Sequence, residues 1–121
     1  MREDKNGLPD VGPNARSLGV RPGTDVLAAL PQEIVQPGFG GLSVSPHNAA
    51  NLPYFRLPQQ LGGKGKDPVW LIDSNILGQD LTYRPDPNSA THGFIEPSRP
   101  MTLGDFQKSL AATKSLWRRV P

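Results

Sequence analysis

The segment THGFIE, residues 91–96, alternates along its length. Read as a strand, it puts His92, Phe94 and Glu96 on one face and Thr91, Gly93 and Ile95 on the other. An imidazole and a carboxylate flanking an aromatic ring can exchange protons and steady charge near neutral pH. A second alternation follows a glycine pair in FGGLSVSPH, residues 39–47. There Leu42 and Val44 point one way, and Ser43 and Ser45 the other. Gly40 and Gly41 lack a Cβ, so a ligand or a neighbouring backbone can come close to these hydroxyls. Arg21 ends the segment SLGVR (17–21) as a planar donor fork suited to carboxylates or phosphates. Asp25, four residues on, can pair with it or cap a helix. Solvated strand faces and a solvent-facing arginine account for the same residues, so the pattern alone leaves both readings open.

The elements that must position these residues are short. The 121-residue chain carries 13 glycines and 14 prolines, which implies many loops and brief strands around one core. Residues 1–16 read as a polar lead-in, and 17–121 as a single domain. PGTDVLAAL (22–30) offers an N-cap and about two helical turns before Pro31. VWLI (69–72) is the most apolar run and reads as a buried central strand. Thr102 caps the clearest helix, with Leu103, Phe106, Leu110, Trp117 and Val120 at helical spacing. Arg118 and Arg119 then fall in its last turn, against the helix dipole. The fold class is α+β: short, mostly antiparallel strands with a long C-terminal helix.

Several chemistries are excluded. Without cysteine there are no disulfides or thiolate metal sites, and two histidines do not make a histidine-rich zinc site, so no metal is expected. GxxxxGK[ST], GxGxxG and GxSxG are all absent. GGKGK (62–66) is basic and glycine-rich but has neither interleaved aromatics nor a following helix. It reads as a loop rather than a phosphate cradle. Thirteen Lys and Arg against 11 Asp and Glu leave +2, too small a surplus to argue for specific nucleic-acid binding. No apolar run approaches the ~20 residues that span a bilayer, and MREDKNGLPD has no signal-peptide core. Action in the cytoplasm, with no membrane partner, is the expectation.

A longer pattern joins these pieces. GVRPGTDV (19–26), PGFGGLSVS (37–45), VWLI (69–72), DLTYRPDP (80–87) and HGFIEPSRPM (92–101) precede a C-terminal helix with tryptophan. Their order and spacing, over roughly residues 17–120, resemble the ADP-ribosyltransferase-like bacterial toxins typified by the second exported effector of the Pseudomonas type VI secretion system. The resemblance implies a small split, mixed or antiparallel sheet around a nicotinamide cleft, like that of NAD-dependent ADP-ribosylating toxins. It implies NAD as substrate, bound by Arg21, Gly41, Ser43 and His92. Ser43 and His92 would serve the transfer of ADP-ribose to an unknown macromolecular target, with Glu96 steadying the cation or activating the acceptor. It also implies a cognate immunity protein or antitoxin that covers the cleft. Gly93 departs from the family, which often has tyrosine there, so an aromatic stacking partner is either absent or supplied by Phe94 or Tyr54. A toxin that blocks its target by binding, a small ribonuclease toxin and a noncatalytic structural protein are the alternatives.

Overall fold

Proline and glycine cut the chain into short pieces, as the composition demands. The computed structural model describes residues 1–47 and 49–120. In chain order the described elements are β1 (Ile34–Val35), β2 (Leu42–Val44), β3 (Trp70–Leu71), β4 (Leu81–Pro85), β5 (Gly93–Pro97), β6 (Met101–Thr102), α1 (Leu103–Ala112) and β7 (Arg118–Arg119). Four single 3-10 turns lie between them. The architecture is α+β, with small antiparallel sheets and one C-terminal helix. The central sheet has the order β2-β5-β4; β1 pairs with β6, and β3 with β7. Every named pair is antiparallel. Parallel contacts among the described residues are single bridges, Val11 with Leu18 and Pro58 with Gly65.

The central register sorts the side chains. Leu42 faces Ile95, and Val44 faces Gly93, while Tyr83 lies across from Ile95 on the other side. These residues turn to the core, where Ile95 is buried and Leu42, Val44 and Tyr83 pack around it. The opposite face carries Ser43, Phe94, Arg84, Thr82 and Glu96, by the two-residue period. Helix α1 lays Leu103, Phe106 and Leu110 against the core, a stripe at the spacing of one helical face. It starts where the sequence places it, because Thr102 Oγ1 accepts the Asp105 amide at 3.1 Å.

Three expectations are corrected. The helix stops at Ala112 instead of continuing to Val120. Thr113 Oγ1 donates to the Leu110 carbonyl at 2.7 Å, and Trp117 Nε1 donates back to Thr113 Oγ1 at 2.9 Å. That buried knot turns the chain so that Trp117 enters the core from an extended segment. Arg118 and Arg119 therefore pair with β3 and do not complement the helix dipole. Residues 22–30 form turns, not a helix. Val26 bridges to Gly40, and Val26 and Ala28 are buried while Leu27 is 82% exposed, the alternation of extended chain. Finally, VWLI is not a central strand. Trp70–Leu71 is one half of a two-stranded ribbon, and Leu71 is exposed.

Residues 1–16 are fastened to the C-terminal end. Lys114 pairs with Asp4, Arg119 with Glu3, and Trp70 Nε1 donates to the Met1 carbonyl at 2.7 Å. The Lys114 ammonium, helped by the Leu8 amide, lowers the Asp4 carboxyl to about 2. Asp67 beside Arg16 and Asp86 beside His92 are shifted the same way. A carboxyl whose folded pKa lies below its unfolded value stabilises the fold above the unfolded value and loses that contribution as pH falls. The melting temperature is therefore expected to fall between about pH 4 and pH 2. Asp4→Asn should remove part of that slope in thermal denaturation across this range.

Gly93 has an architectural reason. A Cβ there would lie 2.5 Å from the Tyr83 ring. The Tyr83 ring takes up this space from β4, on the core face of the sheet. Gly93→Ala is expected to cost about 1–3 kcal/mol by overpacking, read by urea denaturation. Tyr83→Ala in the same chain should recover part of that loss relative to Tyr83→Ala alone.

Candidate functional site

The β4–β5 hairpin builds the polar face. Its loop closes through the Asp86 amide on the His92 carbonyl at 3.1 Å. Asp86 Oδ1 accepts the Asn88 amide at 2.8 Å, the side-chain turn that aspartate favours. The other carboxylate oxygen, Oδ2, lies 2.8 Å from His92 Nδ1. The hydrogen bond from His92 is the main cause that holds the Asp86 carboxyl below its ordinary value. It also fixes the imidazole plane and leaves Nε2 as the ring nitrogen turned away from Asp86. The His92 ring stands edge-on to Phe94, with centroids 4.6 Å apart and planes at 80°.

Phe94 is the centre of the arrangement. The Arg84 guanidinium carbon lies 4.7 Å from its ring centroid, a cation–π contact. Arg84 Nε donates to Glu96 Oε2 at 2.9 Å, and the Gly38 amide donates to the same oxygen at 2.7 Å. Glu96 is only 5% exposed. Both of these bonds go to Oε2. Ser43 lies directly across from Phe94 on β2. It is exposed, and its hydroxyl has no partner among the described residues.

The structure thus brings Ser43, His92 and Glu96 to one side of the sheet around one ring. Arg21 is not joined to this group: among the described residues its side chain binds Asp25 and makes no hydrogen bond or ion pair with Ser43, His92 or Glu96. Its guanidinium and its amide both bind Asp25, the closest contact being 2.7 Å from the amide. That carboxylate raises the Arg21 pKa, chiefly through the hydrogen bond. The Asp25 carbonyl in turn accepts the Gly41 amide at 3.1 Å, which ties Arg21 to the entry of β2.

Of the two neighbours expected beside the glycine pair, the structure shows a backbone. A Cβ on Gly40 would sit 2.1 Å from the Asp25 carbonyl oxygen, and one on Gly41 would sit 2.5 Å from that of Ile95. Both positions also have positive φ, 95° and 144°. The chain's own backbone fills the space beside both glycines. Two apolar hollows, of about 160 Å³ beside Leu27 and Phe39 and about 190 Å³ beside Val11 and Gln107, are lined by none of Ser43, His92 and Glu96.

Arg84 and Asp86 were missed as site residues. The signal was present in TYRPDP, where they alternate with Tyr83 and Pro85 on one face. A hairpin centred on the following turn sets Arg84 against Phe94 and Asp86 beside His92. No group of three or more carboxylates and imidazoles among the described residues is placed to hold a metal ion.

A search of curated proteins and a search of solved structures each find no match. A family model does match: it is described as Tse2 ADP-ribosyltransferase toxin and covers residues 1–117. With that span of the chain accounted for, the protein belongs to the Tse2 ADP-ribosyltransferase toxin family.

Proposed function

We propose that this toxin cleaves NAD at the nicotinamide–ribose bond and passes ADP-ribose to a macromolecular acceptor, on the open face around Phe94. The observation that supports the reading is the grouping of a free hydroxyl, an oriented imidazole and a carboxylate around one ring, in a chain of this family.

NAD is the substrate, and the polar groups suit its parts. The bond that breaks joins the nicotinamide nitrogen to C1 of the ribose. Its electron pair leaves with the nitrogen, nicotinamide departs neutral, and C1 acquires oxocarbenium charge. Groups that meet this charge better than they meet bound NAD lower the barrier. Glu96 Oε1 is the anionic atom for that task, because Oε2 is held by Arg84 and Gly38. Ser43 orients the ribose through its hydroxyls. The acceptor's nucleophilic atom then bonds to C1, and His92 Nε2 takes its proton. The terminal nitrogens of Arg84 and the unbonded one of Arg21 receive the diphosphate. Both guanidiniums already face a carboxylate, so they supply directed N–H groups more than uncompensated charge. Gly41 shapes the entry to β2 and contacts NAD only through that strand.

The same reading includes a sheet split around nicotinamide, as in NAD-dependent toxins. It also includes an immunity protein or antitoxin that covers this face, and action in the cytoplasm. A second reading, block of a target without turnover, draws on the burial of Glu96. The two separate in one experiment. Purified protein incubated with NAD should release nicotinamide, and radiolabelled NAD should label a component of a cell lysate. Growth arrest without either signal would favour the binder.

A further inference from the structure

We propose that residues 53–66 form a docking surface for single-stranded nucleic acid, in which bases stack on Tyr54 and Phe55 and Lys64 and Lys66 hold phosphates. This inference does not depend on the transferase reading.

Charge is the first argument. From Ile34 to Lys66 the sequence has no acidic residue, yet it carries Arg56, Lys64 and Lys66. Elsewhere cations are mostly matched: Arg2 with Asp10, Arg16 with Asp67, Arg99 with Asp80, Lys114 with Asp4. Lys64 and Lys66 meet no carboxylate among the described residues. Arg56 pairs with Asp67 at 3.6 Å, so Lys64 and Lys66 supply the unmatched positive charge of this surface. An anionic partner is the complement.

Geometry is the second. GGKGK lacks aromatics in sequence, and the fold supplies them. The Lys64 amide donates to the Tyr54 carbonyl at 3.0 Å, and the Gly65 amide to the Leu57 carbonyl at 2.8 Å. A Cβ on Gly63 would lie 2.1 Å from the Leu57 carbonyl oxygen, and one on Gly65 would lie 2.3 Å from that of Arg56. Only glycine lets the basic loop lie flat on this segment. Tyr54 and Phe55 are 59% and 67% exposed, so neither ring is spent on the core. The Arg56 guanidinium lies 5.6 Å from the Phe55 centroid. Lys64 and Lys66 flank Gly65, which bridges to Pro58. Extended chain there sets them about 6.6 Å apart on one side, a repeat that can follow a phosphate backbone.

Adjacent open rings with flanking cations fit unpaired bases, whose π-faces a duplex hides. A lipid surface fits less well. Interfacial binding uses an amphipathic helix, and the helical turns here, Ala49–Asn51 and Gln59–Leu61, are three residues each.

Fluorescence anisotropy with labelled oligo(dT) and oligo(U), a duplex of equal length, and sedimentation with phosphatidylserine vesicles test the proposal. Single strands are expected to bind more tightly than the duplex, with affinity falling as salt rises. Tyr54→Ala and Phe55→Ala should each weaken binding about tenfold. Lys64→Ala with Lys66→Ala should reduce the magnitude of the log–log salt slope by about 1.4. Arg118→Ala, which removes an unpaired cation elsewhere, should leave affinity unchanged. Equal affinity for duplex, undiminished binding by the two aromatic variants, or binding to vesicles alone would overturn it.

Discussion

Glu96→Ala is expected to abolish growth arrest and to cost the fold about 1–3 kcal/mol, chiefly by removing the charged partner of the half-buried Arg84 guanidinium. The carboxylate is buried and accepts from both Arg84 and Gly38 through one oxygen. Its removal strands the Arg84 guanidinium, whose side chain is 27% exposed, and frees the loop that carries Phe39. Stability and chemistry would then fall together and say little about mechanism. Glu96→Gln separates them. The amide has nearly the same shape, and its oxygen can still accept from both Arg84 and Gly38, so the cost should be about 1 kcal/mol. The negative charge is gone, so nicotinamide release should still fall by about a hundredfold or more. Urea denaturation and the release rate, measured on the same preparations, check both parts. Full activity in Glu96→Gln would assign Glu96 to structure alone.

His92→Ala carries the second large effect, a rate loss of about 100- to 1000-fold, the range for removing a positioned acid or base. The fold should tolerate it, because His92 flanks the strand and its backbone bond to Asp86 remains. Asp86→Asn is expected to lose less, about tenfold, since it keeps a group at Nδ1 but changes which tautomer is favoured. Single-turnover measurement of nicotinamide release distinguishes the two. A greater loss in Asp86→Asn than in His92→Ala would contradict these roles.

The polar face was legible in sequence because strand alternation has a period of two. That period alone put His92, Phe94 and Glu96 together, and Ser43 on the polar side of β2. The start of α1 was legible because a cap is a local interaction. Its end was not. Trp117 and Val120 keep helical spacing whether or not the chain is helical, and only the hydrogen bonds of Thr113 decide. DVLAAL fits either period, and pairing with the distant Gly40 settles it. The apolarity of VWLI gave no information on whether its neighbours lay on one side or two. Arg84 and Asp86 needed the hairpin register, which depends on where the turn falls. Which neighbour comes close to Gly40 and Gly41 depended on carbonyls from Asp25 and Ile95, remote in the chain and invisible beforehand.

The central claim is that Ser43 and His92, on either side of Phe94, act on bound NAD. Nicotinamide release by the purified chain, compared with the Ser43→Ala/His92→Ala double variant at matched urea midpoints, measures it most directly. The expected result is steady release by the parent chain and a loss of at least a hundredfold in the variant. Equal release by the two proteins, or none from the parent while it still arrests growth, would contradict the claim.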